Sequence, residues 1–123
     1  MNTQIQINLN KKLDEIRKAA KKKGFTRIQT EILAQLTYLN PLWIHAYNIK
    51  AISKINRYGI RLHHKSKNKT INIDIIYQPD HDTYNVEAYR INPLKAEAEK
   101  IASYELALFP ELDQIVGEIL CQS

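Results

Sequence analysis

Seven side chains in the middle of this 123-residue chain are of the types that carry hydrolytic chemistry: His63, His64, Asp74, Asp80, His81, Asp82 and Glu87. Carboxylates and imidazoles near strand ends can hold a divalent cation, and such a cation activates water against a phosphodiester. Side chains alternate along a strand, so His63 and His64 point to opposite faces and cannot ligate one ion together. Asp80 and Asp82 fall in Gln78-Pro79-Asp80-His81-Asp82, whose composition marks a turn. A small metal-dependent hydrolase is therefore an alternative reading. The leading one assigns no residue to catalysis, to a metal or to a cofactor. Other chemistries lack their residues: Gly24, Gly59 and Gly117 are too scattered for a phosphate-cradling loop. Cys121 is the sole cysteine, so neither a zinc site nor an internal disulfide can be built on it, and a reducing, cytosolic setting is expected.

Cations carry the stronger signal. The chain has 18 Lys and Arg against 13 Asp and Glu, a net charge of +5, and the two signs are segregated. Residues 1–69 hold 15 Lys and Arg against three acids (Asp14, Glu15, Glu31), whereas residues 70–123 hold three against ten. Such asymmetry points to an acidic partner, or to one half complementing the other within an oligomer. The candidate contact residues are Lys18, Lys21, Lys22, Lys23 and Arg27, joined by Lys50, Lys54 and Arg57 if a third helix lies beside the first two. Lys21 to Lys23 also suit the negative end of a helix dipole. Trp43 and Tyr47 interleave with Lys50 and Lys54, a pattern that serves either base stacking or packing against a sheet.

The elements that must position these residues follow from periodicity. Leu9, Leu13, Ile16 and Ala20 make a helical stripe over Asn8–Lys23, and Gly24 stops it. Thr26 and Gln29 have the spacing of a capping box, opening a second helix that runs to Asn40 before Pro41. Asn40-Pro41 and Asn92-Pro93 each look like a cap followed by a first-turn proline. They predict a third helix through Ser53 and an acidic fourth from Leu94 to Phe109. A last short helix carries Leu112, Ile115, Val116 and Ile119 to about Leu120. Between the helices, Ile60–Lys65, Thr70–Tyr77 and Thr83–Ile91 alternate apolar and polar as strands. If both turns close evenly, Arg61, Asp74 and Glu87 form one cross-strand row on the polar face. The expectation is a single α+β domain over residues 1–123: three N-terminal helices, a three-stranded antiparallel sheet, and two C-terminal helices packed on one face.

Asp82-Thr83-Tyr84-Asn85-Val86-Glu87 with Tyr89-Arg90-Ile91, together with Ile32-Leu33-Ala34-Gln35-Leu36, resembles the middle of some small phage-encoded proteins. The resemblance covers about half the chain and implies a mobile-element origin; those proteins have no assigned activity. Pro79-Asp80 followed by Glu87-Ala88-Tyr89 resembles the start of the Pro-Asp nuclease motif, but Tyr89 stands where that motif has its lysine. The expectation is a cytosolic, non-enzymatic binding protein presenting a basic surface to nucleic acid or to an acidic protein or nucleoprotein. A blocker of a host nucleoprotein complex fits this size and charge. No apolar run is long enough to span a membrane, and the polar start is not that of a signal peptide.

Overall fold

The computed structural model describes residues 3–122. Two helices, α1 (Thr3–Lys22) and α2 (Arg27–Leu39), form an antiparallel hairpin, followed by the single-turn helix α3 (Trp43–Ala46). Five strands come next: β1 (Ile49–Lys54), β2 (Gly59–Ser66), β3 (Lys69–Gln78), β4 (Thr83–Asn92) and β5 (Glu97–Ala107). A 3-10 turn (Phe109–Glu111) leads into the closing helix α4 (Leu112–Gln122). Gly24 sits at φ +79°, the left-handed conformation that ends α1 and that a side chain would strain. Thr26 and Gln29 then close their capping box at the start of α2.

The sheet is an antiparallel meander in the order β1-β2-β3-β4-β5. Arg61 pairs with Asp74 and Asp74 with Glu87, the register that even closure of the two turns predicts. One face is apolar: Ile60, Leu62, Ile71, Ile73, Ile75, Val86 and Ala88 are wholly buried. They pack on Ile32 and Leu36 of α2, Trp43 of α3, and Leu112 and Val116 of α4. Ile16 and Ala20 bring α1 onto the same core. The helical layer thus covers one face of the sheet and leaves the other open. No described helix is long and apolar enough to cross a membrane.

Two expected helices are strands, so the sheet has five strands rather than three and the described residues four α-helices. The third helix lasts one turn, and at Asn48 the chain takes φ +51°, which no right-handed helix accommodates. A bulge between Ile49 and Ala51 then adds a residue to β1. Ile49 and Ile52, three apart, therefore share the core face, a spacing that reads as helical. The same device disguises β5. Val86 and Tyr84, two apart on β4, pair with Tyr104 and Ala107, three apart on β5. Ile101, Tyr104 and Ala107 reach the core at helical intervals from a strand. Only α4 follows the sheet as an α-helix.

Candidate functional site

The N-terminus of α2 is tied to the β1–β2 turn by two side chains. The amide oxygen of Gln29 accepts the Thr26 N–H at 2.8 Å, closing the capping box. Its amide nitrogen, buried with the rest of the residue, donates to the carbonyls of Asn56 and of Gly59, the latter at 3.1 Å. Thr26 Oγ1 donates to the Arg57 carbonyl at 2.8 Å. Gly59 has no room for a side chain here, since a Cβ would stand 2.9 Å from Ile76 Cγ1. Close by, Lys54 Nζ donates to the Lys23 carbonyl at 3.3 Å and lies 5.9 Å from the centre of the Phe25 ring.

These ties gather cations from three places in the sequence at one corner of the molecule. Lys21 and Lys22 end α1 and Lys23 follows it, Arg27 opens α2, Lys54 ends β1 and Arg57 lies in the β1–β2 turn; all are exposed. Lys18 stands one helical turn before Lys22 and extends the patch along α1. Lys50 does not join it: it lies at the other end of β1, beside Ile49, which pairs with His64. Among the described residues the ion pairs are Arg17–Glu31, Arg61–Asp74, Arg90–Glu99 and Lys100–Glu87. None of them neutralises a cation of this corner.

Beside Arg27 and Arg57 opens a groove of about 840 Å³, walled by Ile28, Tyr58, Tyr77 and Tyr84, with Glu31, Gln35 and Asp82 at its polar edge. Tyr77 and Tyr84 are cross-strand partners at the last core-facing positions before the β3–β4 turn, their ring centres 5.5 Å apart. Tyr84 donates its hydroxyl to Gln35 Oε1, and Tyr77 donates to Asp82 Oδ1 at 2.6 Å. Burial pushes the Tyr84 phenol above the ordinary range, while the hydrogen bond to Asp82 does so for Tyr77. Both are neutral aromatic surfaces at physiological pH. Alternation puts Tyr77 on the face of Ile71, Ile73 and Ile75, and Tyr84 on that of Val86 and Ala88, but nothing local connects them to Arg27 and Arg57. The available signal was a tyrosine on each side of one turn, on one face.

The residues first weighed for hydrolysis are dispersed. His64 turns into the core, its Nδ1 2.6 Å from the Tyr47 carbonyl. Asp80 and His81 stand exposed in the β3–β4 turn. Asp74, expected at the surface of the sheet, is only 6% exposed, because the Arg61 guanidinium lies along it with bonds of 2.7 and 2.9 Å. Glu87 accepts from the Tyr89 hydroxyl and pairs with Lys100 of β5, and the tyrosine bond is the main cause of its lowered pKa. Among the described residues no three His, Cys, Asp or Glu side chains meet at a point that would suit a metal ion. On the same open face, His63 Nε2 lies 2.6 Å from Ser53 Oγ, and Nδ1 lies 3.0 Å from Asn72 Oδ1. Hydroxyl, imidazole and amide stand in the order of a nucleophile relay. Ser53, however, is exposed on the sheet's edge strand. Trp43, weighed for stacking, is 1% exposed and donates to Thr37 Oγ1 at 3.0 Å, and Tyr47 reaches Asp113 Oδ1 on α4 at 2.8 Å. Both are packing residues. No protein-family model, curated protein or solved structure matches the chain.

Proposed function

We propose that this protein is a non-enzymatic nucleic-acid-binding protein whose contact surface is the cationic corner formed by Lys21, Lys22, Lys23, Arg27, Lys54 and Arg57. One observation carries the reading. The charge asymmetry of the sequence allowed the acidic half to neutralise the basic half within one molecule, yet no ion pair among the described residues engages these side chains. Exposed, mutually repelling cations held in fixed positions favour a polyanion, and phosphate backbones supply regularly spaced charge. The open sheet face supports the reading by contrast. There Arg61 is matched by Asp74 and Lys100 by Glu87.

The test is a titration of labelled nucleic acid at several salt concentrations. Each neutralised phosphate contributes roughly 0.7 to 0.9 to the log–log slope of affinity against salt. Changing Lys21, Lys22, Lys23 and Arg27 together to Gln is expected to flatten that slope by about three to four and to weaken all sequences alike. Absence of binding by the wild type at low salt refutes the proposal and leaves an acidic protein surface as the partner for these cations.

A further inference from the structure

We infer that the groove beside Arg27 and Arg57 receives one unstacked nucleobase, so that the ligand of the cationic corner is a single strand rather than a duplex. This inference rests on the nucleic-acid reading above and names the form of nucleic acid that reading requires. Three features of the groove lead to it. Its volume of about 840 Å³ lies within the range of pockets that enclose small organic ligands, roughly 300–1,000 Å³. Phosphate oxygens of a passing backbone can sit at its rim, where both guanidiniums lack ion-pair partners among the described residues. Glu31 and Asp82 line it, and two carboxylates repel a phosphate drawn inside. With phosphate drawn to the arginines and disfavoured beside the carboxylates, the part of a nucleotide that suits the rest of the groove is its uncharged base.

Its walls suit that part. Tyr58, Tyr77, Tyr84 and Ile28 provide aromatic and aliphatic surface for a flat ring, and every base has a π-face to place on them. The polar edge offers both kinds of hydrogen bond. The Gln35 oxygen is occupied by Tyr84 and Asp82 Oδ1 by Tyr77, which leaves the Gln35 amide N–H groups as donors. Glu31 Oε2, whose companion Oε1 faces Arg17 at 3.8 Å, and the second Asp82 oxygen remain to accept. Base edges in single strands present both donors and acceptors for such reading. A base inside a duplex is stacked and paired, so neither its face nor its Watson–Crick edge can be offered to the groove.

The experiment uses the full chain and three fluorescein-labelled probes: a mixed-sequence single-stranded DNA of about twelve nucleotides, an abasic strand with the same phosphates, and the duplex of the first. Stacking on an aromatic side chain contributes roughly 1–3 kcal/mol per base, so the abasic strand is expected to bind about ten- to a hundredfold more weakly than the normal one. Tyr58→Ala should lower affinity for the normal strand by a similar factor. It should leave the abasic affinity and the salt slope unchanged, and Tyr58→Phe should restore binding. Equal affinities for normal and abasic strands, or a duplex bound as tightly as the single strand, overturn the inference while the cationic contact survives as a steep salt slope. Absence of binding to all three probes at low salt overturns both readings. The probe comparison needs only wild-type protein, so it decides the matter even if the alanine variant does not fold.

Discussion

Gln29 uses every hydrogen-bonding atom of its amide to hold the corner together, with its oxygen on the Thr26 N–H and its nitrogen on two carbonyls of the β1–β2 turn. Leaving buried polar groups without partners costs about 1–3 kcal/mol. Gln29→Ala is therefore expected to lower stability by at least that amount, read as a fall in the urea midpoint. It should also weaken nucleic-acid binding, because Arg57 is no longer fixed beside Arg27. An unchanged midpoint refutes the role given to this residue. The capping box was legible from a spacing of three residues, since capping is local chemistry. The reach of the same amide to residues 27 and 30 positions away in sequence was not, because nothing local encodes it. Phenols form a second residue-scale case. Tyr47, Tyr77, Tyr84, Tyr89 and Tyr104 all have raised pKa values, Tyr47, Tyr84 and Tyr104 mainly through burial and Tyr77 and Tyr89 mainly through bonds to Asp82 and Glu87. A group whose pKa is higher folded than unfolded contributes stability that is complete below the unfolded value and is lost as pH rises through the folded one. Stability should hold at neutral pH and fall above about pH 10, where an unfolded tyrosine ionises. Phenolate absorbance and circular dichroism followed together should show ionisation and unfolding in the same alkaline window.

Two hairpin loops share one design at the scale of elements. Pro79-Asp80-His81-Asp82 joins β3 to β4 and Pro93-Leu94-Lys95-Ala96 joins β4 to β5, each starting with proline. Each also ends in the left-handed region, Asp82 at φ +51° and Ala96 at φ +52°. Aspartate tolerates that region, whereas alanine pays about 1–2 kcal/mol of Cβ strain there. Ala96→Gly should relieve the strain and, after the extra chain entropy of glycine is deducted, raise stability by up to about 1 kcal/mol. A lower melting temperature in this exposed variant would contradict it. The repeated proline was the signal that could have revealed β5. Asn92 Oδ1 accepts from the backbone of Leu94 and Lys95 at 3.0 and 3.3 Å, the bonds of a turn that a helix cap imitates. Glu97, Ala98, Glu99 and Lys100 are also strong helix formers on their own. Pairing with β4 overrides that preference, and pairing is a long-range fact that a local pattern does not contain. The three central strands were legible because regular alternation over Ile71, Ile73 and Ile75 has no bulge to disturb it.

For the whole molecule, the meander turns a charge gradient along the sequence into one across space. Lys54 and Arg57 lie at the end of the β1 edge, and Glu97 and Glu99 on the opposite edge, at the far end of β4 and β5. Four strand spacings of about 4.8 Å separate the edges, roughly twice the Debye length of about 8–10 Å in physiological salt. Reversing Glu97 and Glu99 to Lys should thus change nucleic-acid affinity less than about twofold at such salt, while Lys54→Glu with Arg57→Glu should abolish it. Comparable losses from both pairs in the same titration would show that net charge, not the corner, drives binding. The order of the strands has one more consequence, and it concerns how the molecule is made. Each strand pairs only with its immediate predecessor and successor. The sheet can therefore grow by successive hairpins, each closing a short loop, without waiting for distant segments to meet. α4 then adds Leu112, Val116 and Ile119 to the core on the apolar face of that sheet. Without that helix the apolar face of the sheet is only partly covered, and the charged side chains along the two outer strands, Lys50 and Lys54 on β1 and Glu97, Glu99 and Glu105 on β5, are of the kind that discourages edge-to-edge pairing with another copy.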